Sequence, residues 1–243
     1  MSEAPLFDVW VYLAETPLLW LTLTLVAYVL AFHLYRAAGS NPLVNPVAVA
    51  VVLLIGLLLV SGTSYESYFA GAQFVHFLLG PATVSLAIPL YRQRAKLATL
   101  WLPILVALVS GIFAAALSAV GIAAMFGADV DTLLSLAPKS VTAPVAMGIA
   151  EQLGGHPSLT AVLVVATGIL GAVMGTPLFR WLRIRDDSVK GSAMGVTSHG
   201  IGTARACQVS REMGAFSGLA MALSAFATAL LLPPVLAWIG LGG

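Results

Sequence analysis

The sequence predicts an all-α membrane protein: a polytopic helical bundle in which some helices are discontinuous or re-entrant. Three observations predict it. Of the 243 residues, 60% are hydrophobic and only 9% are charged, whereas a water-exposed domain carries charge on roughly a quarter of its residues. Five apolar runs approach the about 20 residues that a helix needs to cross a bilayer core. Three further segments are apolar overall but broken by Gly, Pro, Thr, Ser and single charges, a composition that a continuous lipid-facing helix does not need.

The five runs are Pro17 to Tyr35, Pro46 to Val60, Leu97 to Phe126, Leu159 to Phe179 and Phe216 to Trp238, each expected to be a spanning helix. The broken segments are Ala70 to Tyr91, Val130 to Leu153 and Gly191 to Ala206. Backbone groups freed by a break cannot be satisfied by hydrocarbon, so irregular segments must be buried in protein or line a watery cavity. They are therefore the candidates for a site, against the alternatives of Pro-kinked structural helices or interfacial loops. The chain has no room for a sizeable soluble domain, and one membrane domain over residues 1–243 is expected. Met1 to Trp10 carries Glu3 and Asp8 and no basic stretch, so it does not read as a cleaved signal peptide.

A net charge of +1 gives no reason to expect a nucleic-acid partner, and the single Cys207 excludes an intrachain disulfide. Basic residues instead report topology. Arg92, Arg94 and Lys96 form one cluster and Arg180, Arg183, Arg185 and Lys190 another, and basic loops prefer the cytoplasmic side. Both clusters on one side require an even number of crossings between them. Val130 to Leu153 is therefore expected to be a re-entrant hairpin with its tip near Pro138-Lys139-Ser140, entering where Asp129 and Asp131 lie. A local match of Pro81-Ala82-Thr83-Val84-Ser85 with Pro138-Lys139-Ser140-Val141-Thr142 suggests a partner hairpin near Pro81 and hence an inverted repeat.

Three blocks carry a specific resemblance: Gly80-Pro81-Ala82-Thr83-Val84, Ala137-Pro138-Lys139-Ser140-Val141-Thr142 and Ser198-His199-Gly200-Ile201-Gly202-Thr203-Ala204-Arg205. In order and content the chain resembles the LrgB/CidB family, from about Asn41-Pro42-Leu43 through Glu151-Gln152-Leu153-Gly154-Gly155 to Gly218-Leu219-Ala220-Met221. That resemblance implies a bacterial inner (cytoplasmic) membrane location and two kinds of activity. Bacterial members are named as antiholin-like modulators of murein hydrolase export and autolysis, acting with a small LrgA/CidA-type membrane partner. A similar plant plastid member moves glycolate and glycerate, and other bacterial members are linked to pyruvate uptake. The expected function is thus secondary transport of small monocarboxylates, with proton coupling as a further expectation; the alternative is a holin-like or antiholin-like regulator. A homo-oligomer, a dimer, is expected from the apolar surface of the continuous helices.

Lys139 is the sharpest candidate site residue, because an ionisable group in a membrane segment is costly and is by default a functional hypothesis. A carboxylate substrate would supply its counter-charge. The alternatives are a lysine snorkelling to the interface or pairing with Asp129, Asp131 or Glu151. Thr83, Ser140 and Thr142 could hydrogen-bond a hydroxy acid, with Ser85 as a secondary candidate; such hydroxyls also bond their own backbone. His199 and Thr203 share a helical face, and a titrating His199 could couple transport to protons or could simply bond a neighbouring helix. Ser198 lies beside it. Arg205 reads as a second anion clamp or an interface anchor, and Asn45 as a site residue or as turn chemistry. No P-loop, His/Cys metal spacing or nucleophile elbow occurs. Enzyme activity, a metal and a cofactor are therefore not expected.

Overall fold

The computed structural model describes residues 17–39, 41, 44–78, 81 and 87–241. Among the described residues every regular element is helical, and they fall into two compact units, Met1–Ser85 and Leu86–Gly243.

In the first unit, α1 (Pro17–Ala37) packs against α2 (Pro46–Ser61) and α3 (Tyr65–Phe77). Trp20 is completely buried, with its ring edge-on to Tyr68 at 5.9 Å. The Asn45 side chain accepts hydrogen bonds from Val47 N (2.9 Å) and Ala48 N (3.2 Å). It thereby satisfies two of the amide groups left open where α2 starts.

In the second unit, a short α4 (Ala87–Arg92) packs on α10 (Arg211–Trp238), and three long helices alternate with two folded-back segments. The long helices are α5 (Arg94–Met125), α8 (Pro157–Trp181) and α10; with α1 they are the four described helices long and apolar enough to cross a membrane. Each buries a stripe recurring about every four residues: Ile104, Leu108, Ile112, Ala116 and Val120 on α5, and Ala220, Ser224, Thr228, Leu232 and Leu236 on α10. Large apolar side chains such as Trp101, Val106 and Leu230 stay exposed. That pattern suits a lipid surround, in which an apolar outer face carries no penalty.

Between α5 and α8 lie α6 (Val130–Leu136) and α7 (Ala143–Leu153), with a turn over residues 137–142. At 1.5 Å per residue these arms are about 10 and 16 Å long, against a hydrocarbon core of about 30 Å. Neither can span alone, as the charge pattern predicted. Ser135, in the last turn of α6, ties this hairpin to the start of α8: its hydroxyl accepts from His156 N (2.7 Å) and its carbonyl from Thr160 Oγ1 (2.9 Å).

The segment α9 (Asp187–Val209) is helical on both sides of His199, where the backbone turns sharply (φ 41°, ψ −133°). It doubles back. Ser210 Oγ donates to Asp187 Oδ2 at 2.6 Å, whereas a straight helix of this length would separate its ends by about 33 Å. Both arms lie on α10: a methyl group on Gly195 would lie 2.9 Å from Ala220 Cβ, and Thr203 Oγ1 shares a 2.9 Å hydrogen bond with Ser217. The base of this hairpin sits where α5 and α10 begin, because Lys96 Nζ bonds Asp186 (3.0 Å) and Glu212 (2.6 Å). That link also joins the two basic clusters at one end of the unit, as expected from their charge.

The first hairpin has its base at the other end. Its Leu133, Leu134 and Ile149 pack with Val120 of α5 and with Leu232 and Leu236 of α10, close to where those helices finish. The sequence pairing of Pro81 with Pro138 cannot be followed, because most of residues 79–86 lie outside the described set. Among the described residues, the hairpin opposed to 130–153 is 187–209.

Candidate functional site

The two hairpins meet on α8. Val164 is buried in a cluster with Val141, in the turn of the first hairpin, and Ala146, in the first turn of α7. Its carbonyl oxygen accepts a 2.9 Å hydrogen bond from His199 Nε2 at the apex of the second. Because a carbonyl only accepts, Nε2 carries the proton. No described group bonds Nδ1, so the ring has one nitrogen fixed and one able to take up a proton.

His199 is buried, with 5% of its surface exposed, and its positive φ is a conformation that residues other than glycine rarely adopt. Holding a residue there costs on the order of 1–3 kcal/mol, and such strain persists where the surroundings over-determine it. Here the ring is held by Val164, and the His199 carbonyl accepts from Thr203 Oγ1 at 2.8 Å. Small residues on α8 make the approach possible. A methyl group on Gly168 would lie 2.6 Å from His199 Cε1, and one on Gly171 would overlap the Ser198 hydroxyl.

At the other apex, Pro138 breaks the helix and the chain restarts at α7 after Thr142, whose side chain makes no capping hydrogen bond. Lys139 is half-buried and makes no ion pair among the described residues. The pairings considered from sequence are absent: Asp129 caps α6 through Thr132 N, Asp131 lies 3.9 Å from His156, and Glu151 is exposed. Pro138 and Ser140 instead line a small cavity with Ile112 and Ala116 of α5 and with Ser224 and Thr228 of α10. The hydroxyls of Ser224 and Thr228 are buried and have no hydrogen-bond partner. Leaving such a group unpaired costs about 1–3 kcal/mol, so this cavity is chemically incomplete.

The structure thus brings Ser140 beside Ser224 and Thr228, and gathers His199, Ser198 and Thr203 at the opposing apex. Ser198 is fully buried and shares a 3.1 Å hydrogen bond with Thr197. Arg205 stands apart, lower on the returning arm of α9, with Nη1 donating to Gln208 Oε1 at 3.1 Å. That placement favours an anchoring role over an anion clamp. Asn45 is a helix cap. Thr83 and Ser85 lie outside the described residues. Sequence reading missed Val164, which acts through its backbone and leaves no trace in composition. It also missed Ser224 and Thr228, whose four-residue spacing in an apolar helix was the available signal.

Long spanning helices alternating with half-length hairpins from opposite ends define a helical integral membrane protein with discontinuous segments. The chain belongs to the LrgB-like family, whose model matches residues 24–238. It is 38% identical over 203 residues to the uncharacterized protein YxaC of Bacillus subtilis, covering 84% of this chain and 88% of that one. To holin-like protein CidB of Staphylococcus aureus it is 34% identical over 224 residues, covering 89% and 94%. To holin-like protein CidB of Staphylococcus epidermidis it is 32% identical over 215 residues, covering 88% and 93%. No solved structure matches.

Proposed function

We propose that this protein is a secondary transporter of small monocarboxylates of the glycolate, glycerate, pyruvate or lactate kind, in a bacterial inner membrane. One observation carries the reading: two hairpins too short to span, entering from opposite ends, meet at Val164 with polar and ionisable apices. Discontinuous helices meeting in this way provide a substrate site from irregular backbone, and alternating access follows when one element rocks against another. Lys139 supplies the compensating charge for a carboxylate, because an unpaired buried anion is strongly disfavoured. Ser140, Thr142, Ser224 and Thr228 supply hydroxyls for a hydroxy or keto oxygen. His199 couples the cycle to protons through its open Nδ1.

A second reading rests on the relatives' names: CidB proteins are called holin-like, and those names favour a role in autolysis over transport. On that reading the chain works by assembly in the membrane, as a homo-oligomer or with a small LrgA/CidA-type partner. Uptake of radiolabelled glycolate and pyruvate into proteoliposomes of the purified protein, with and without an imposed pH gradient, separates the two. Saturable uptake of either acid with exclusion of sucrose supports transport. Non-selective leakage of both supports the holin-like reading.

A further inference from the structure

The basic end of the second unit contains a cavity of about 300 Å³ at the base of the α9 hairpin, lined by Thr176, Phe179, Arg180, Arg185, Lys190 and Met213 among others. Arg183 adopts the left-handed conformation (φ 57°), and Ile184 N bonds back to Phe179 O at 2.9 Å. The chain is thereby turned at the end of α8, so that Arg180 before the bend and Arg185 after it face one space. Lys190 reaches it from the incoming arm of α9.

Three cations share this cavity, and among the described residues the one carboxylate in an ion pair with any of them is Asp187, which Lys190 Nζ contacts at 2.5 Å. Arg180 and Arg185 make no ion pair among the described residues. The neighbouring acids Asp186 and Glu212 are both engaged by Lys96. Three positive charges against one negative leave a balance of two. Thr176 lines the same cavity, and its hydroxyl is buried beside it without a hydrogen-bond partner. Loops that only mark the cytoplasmic side would have no need to share a cavity with an unsatisfied hydroxyl. Guanidinium groups match phosphate oxygens in a two-point fork, and basic pockets between membrane helices on that side hold phosphate head groups.

We propose that this cavity is a phosphate-group site, in which Arg180 and Arg185 grip the oxyanion, Thr176 donates its hydroxyl and Lys190 turns to it from Asp187. The group can come from an anionic phospholipid or from a soluble phosphate. The site lies away from the hairpin apices and does not depend on what is transported.

The test uses the purified full-length protein in nanodiscs and follows its thermal unfolding midpoint. One arm titrates inorganic phosphate in phosphatidylcholine discs; the other replaces part of that lipid with phosphatidylglycerol. A rise in the first arm identifies a soluble source and a rise in the second a lipid source; a rise in either supports the site. The double variant R180Q/R185Q should weaken the affinity read from this response about twenty-five-fold, since each basic residue near an anionic surface contributes about a factor of five. Thr176→Val should weaken it several-fold while folding normally without the anion. R92Q/R94Q, which removes equal charge from the other basic cluster, should keep the full response. The proposal is overturned if neither anion raises the midpoint, or if R92Q/R94Q loses as much as R180Q/R185Q. Should R180Q/R185Q fail to fold, an undiminished response in Thr176→Val overturns it equally.

Discussion

Adding one methyl group at Gly171 should damage the protein measurably, because α8 meets the α9 apex there with no space to spare. The new Cβ would overlap the Ser198 hydroxyl and lie 2.7 Å from Ser198 Cβ, and Ser198 is fully buried. Neither partner can move freely, since Ser198 precedes the strained His199 turn. Overpacking of this kind costs about 1–3 kcal/mol, and the strain falls on the bond between His199 and Val164. Gly171→Ala should therefore lower both the unfolding midpoint and any transport that depends on the apex. Ser198→Ala removes the overlapping oxygen and should be nearly silent alone. Combined with Gly171→Ala it should recover roughly 1 kcal/mol, a coupling that a double-mutant cycle in thermal unfolding resolves. Strict additivity of the two changes would mean that α8 and the apex do not touch here, and the docking argument would be wrong.

Three further outcomes follow from the same geometry. With Cys207 replaced, the pair D187C/S210C should cross-link rapidly under mild oxidation or with a short bifunctional reagent, since Asp187 and Ser210 are hydrogen-bonded at 2.6 Å; no cross-link would indicate a straight α9. His199→Gln keeps a donor for the Val164 carbonyl but cannot titrate, so uptake should persist with its pH dependence between about pH 5 and 8 flattened; an unchanged profile would remove the histidine from coupling. The Ser188 hydroxyl, and after it Lys96, hold the Asp186 carboxyl well below the usual carboxylate range. Its stabilising effect is thus fully present above a pH of about 3.9 and disappears as pH falls through the lowered folded value. Half-exposed as Asp186 is, the effect should stay below about 1 kcal/mol. Asp186→Asn should lose it at neutral pH and show a shallower fall in unfolding midpoint below pH 4; a parallel fall in both proteins would contradict this.

Much of the fold was legible because membrane helices announce themselves by length and composition. All five apolar runs are helices, although Pro46–Ser61 at 16 residues is shorter than the others. The hairpin at 130–153 followed from charge, since two basic clusters on one side leave room for only an even number of crossings. The folding-back of 187–209 was not legible. Gly195, Gly200 and Gly202 marked a break, but the reversal falls on His199, where tertiary contacts to Val164 and Thr203 hold a conformation that local preference disfavours. Two of the three blocks that carried the LrgB/CidB resemblance are apex motifs, and these two are the segments that the fold brings to α8. Asn45 was open between site residue and turn chemistry, because a capping side chain and a binding side chain look alike in sequence; its bonds to Val47 and Ala48 place it as a cap.

If a carboxylate is held where the hairpin apices meet, Lys139 is the residue that should hold it. It is half-buried and unpaired among the described residues. Lys139→Gln retains length and hydrogen-bonding capacity while removing the charge. For a partly solvated pair the loss should be roughly 1–3 kcal/mol, or about ten- to a hundredfold in apparent affinity for glycolate or pyruvate. The measurement is concentration-dependent uptake into proteoliposomes, with Arg94→Gln in the exposed basic loop as the control. Lys139→Gln should show a large rise in half-saturating concentration and Arg94→Gln little change, because solvent screens the charge there. Uptake by folded Lys139→Gln protein with unaltered affinity would contradict it.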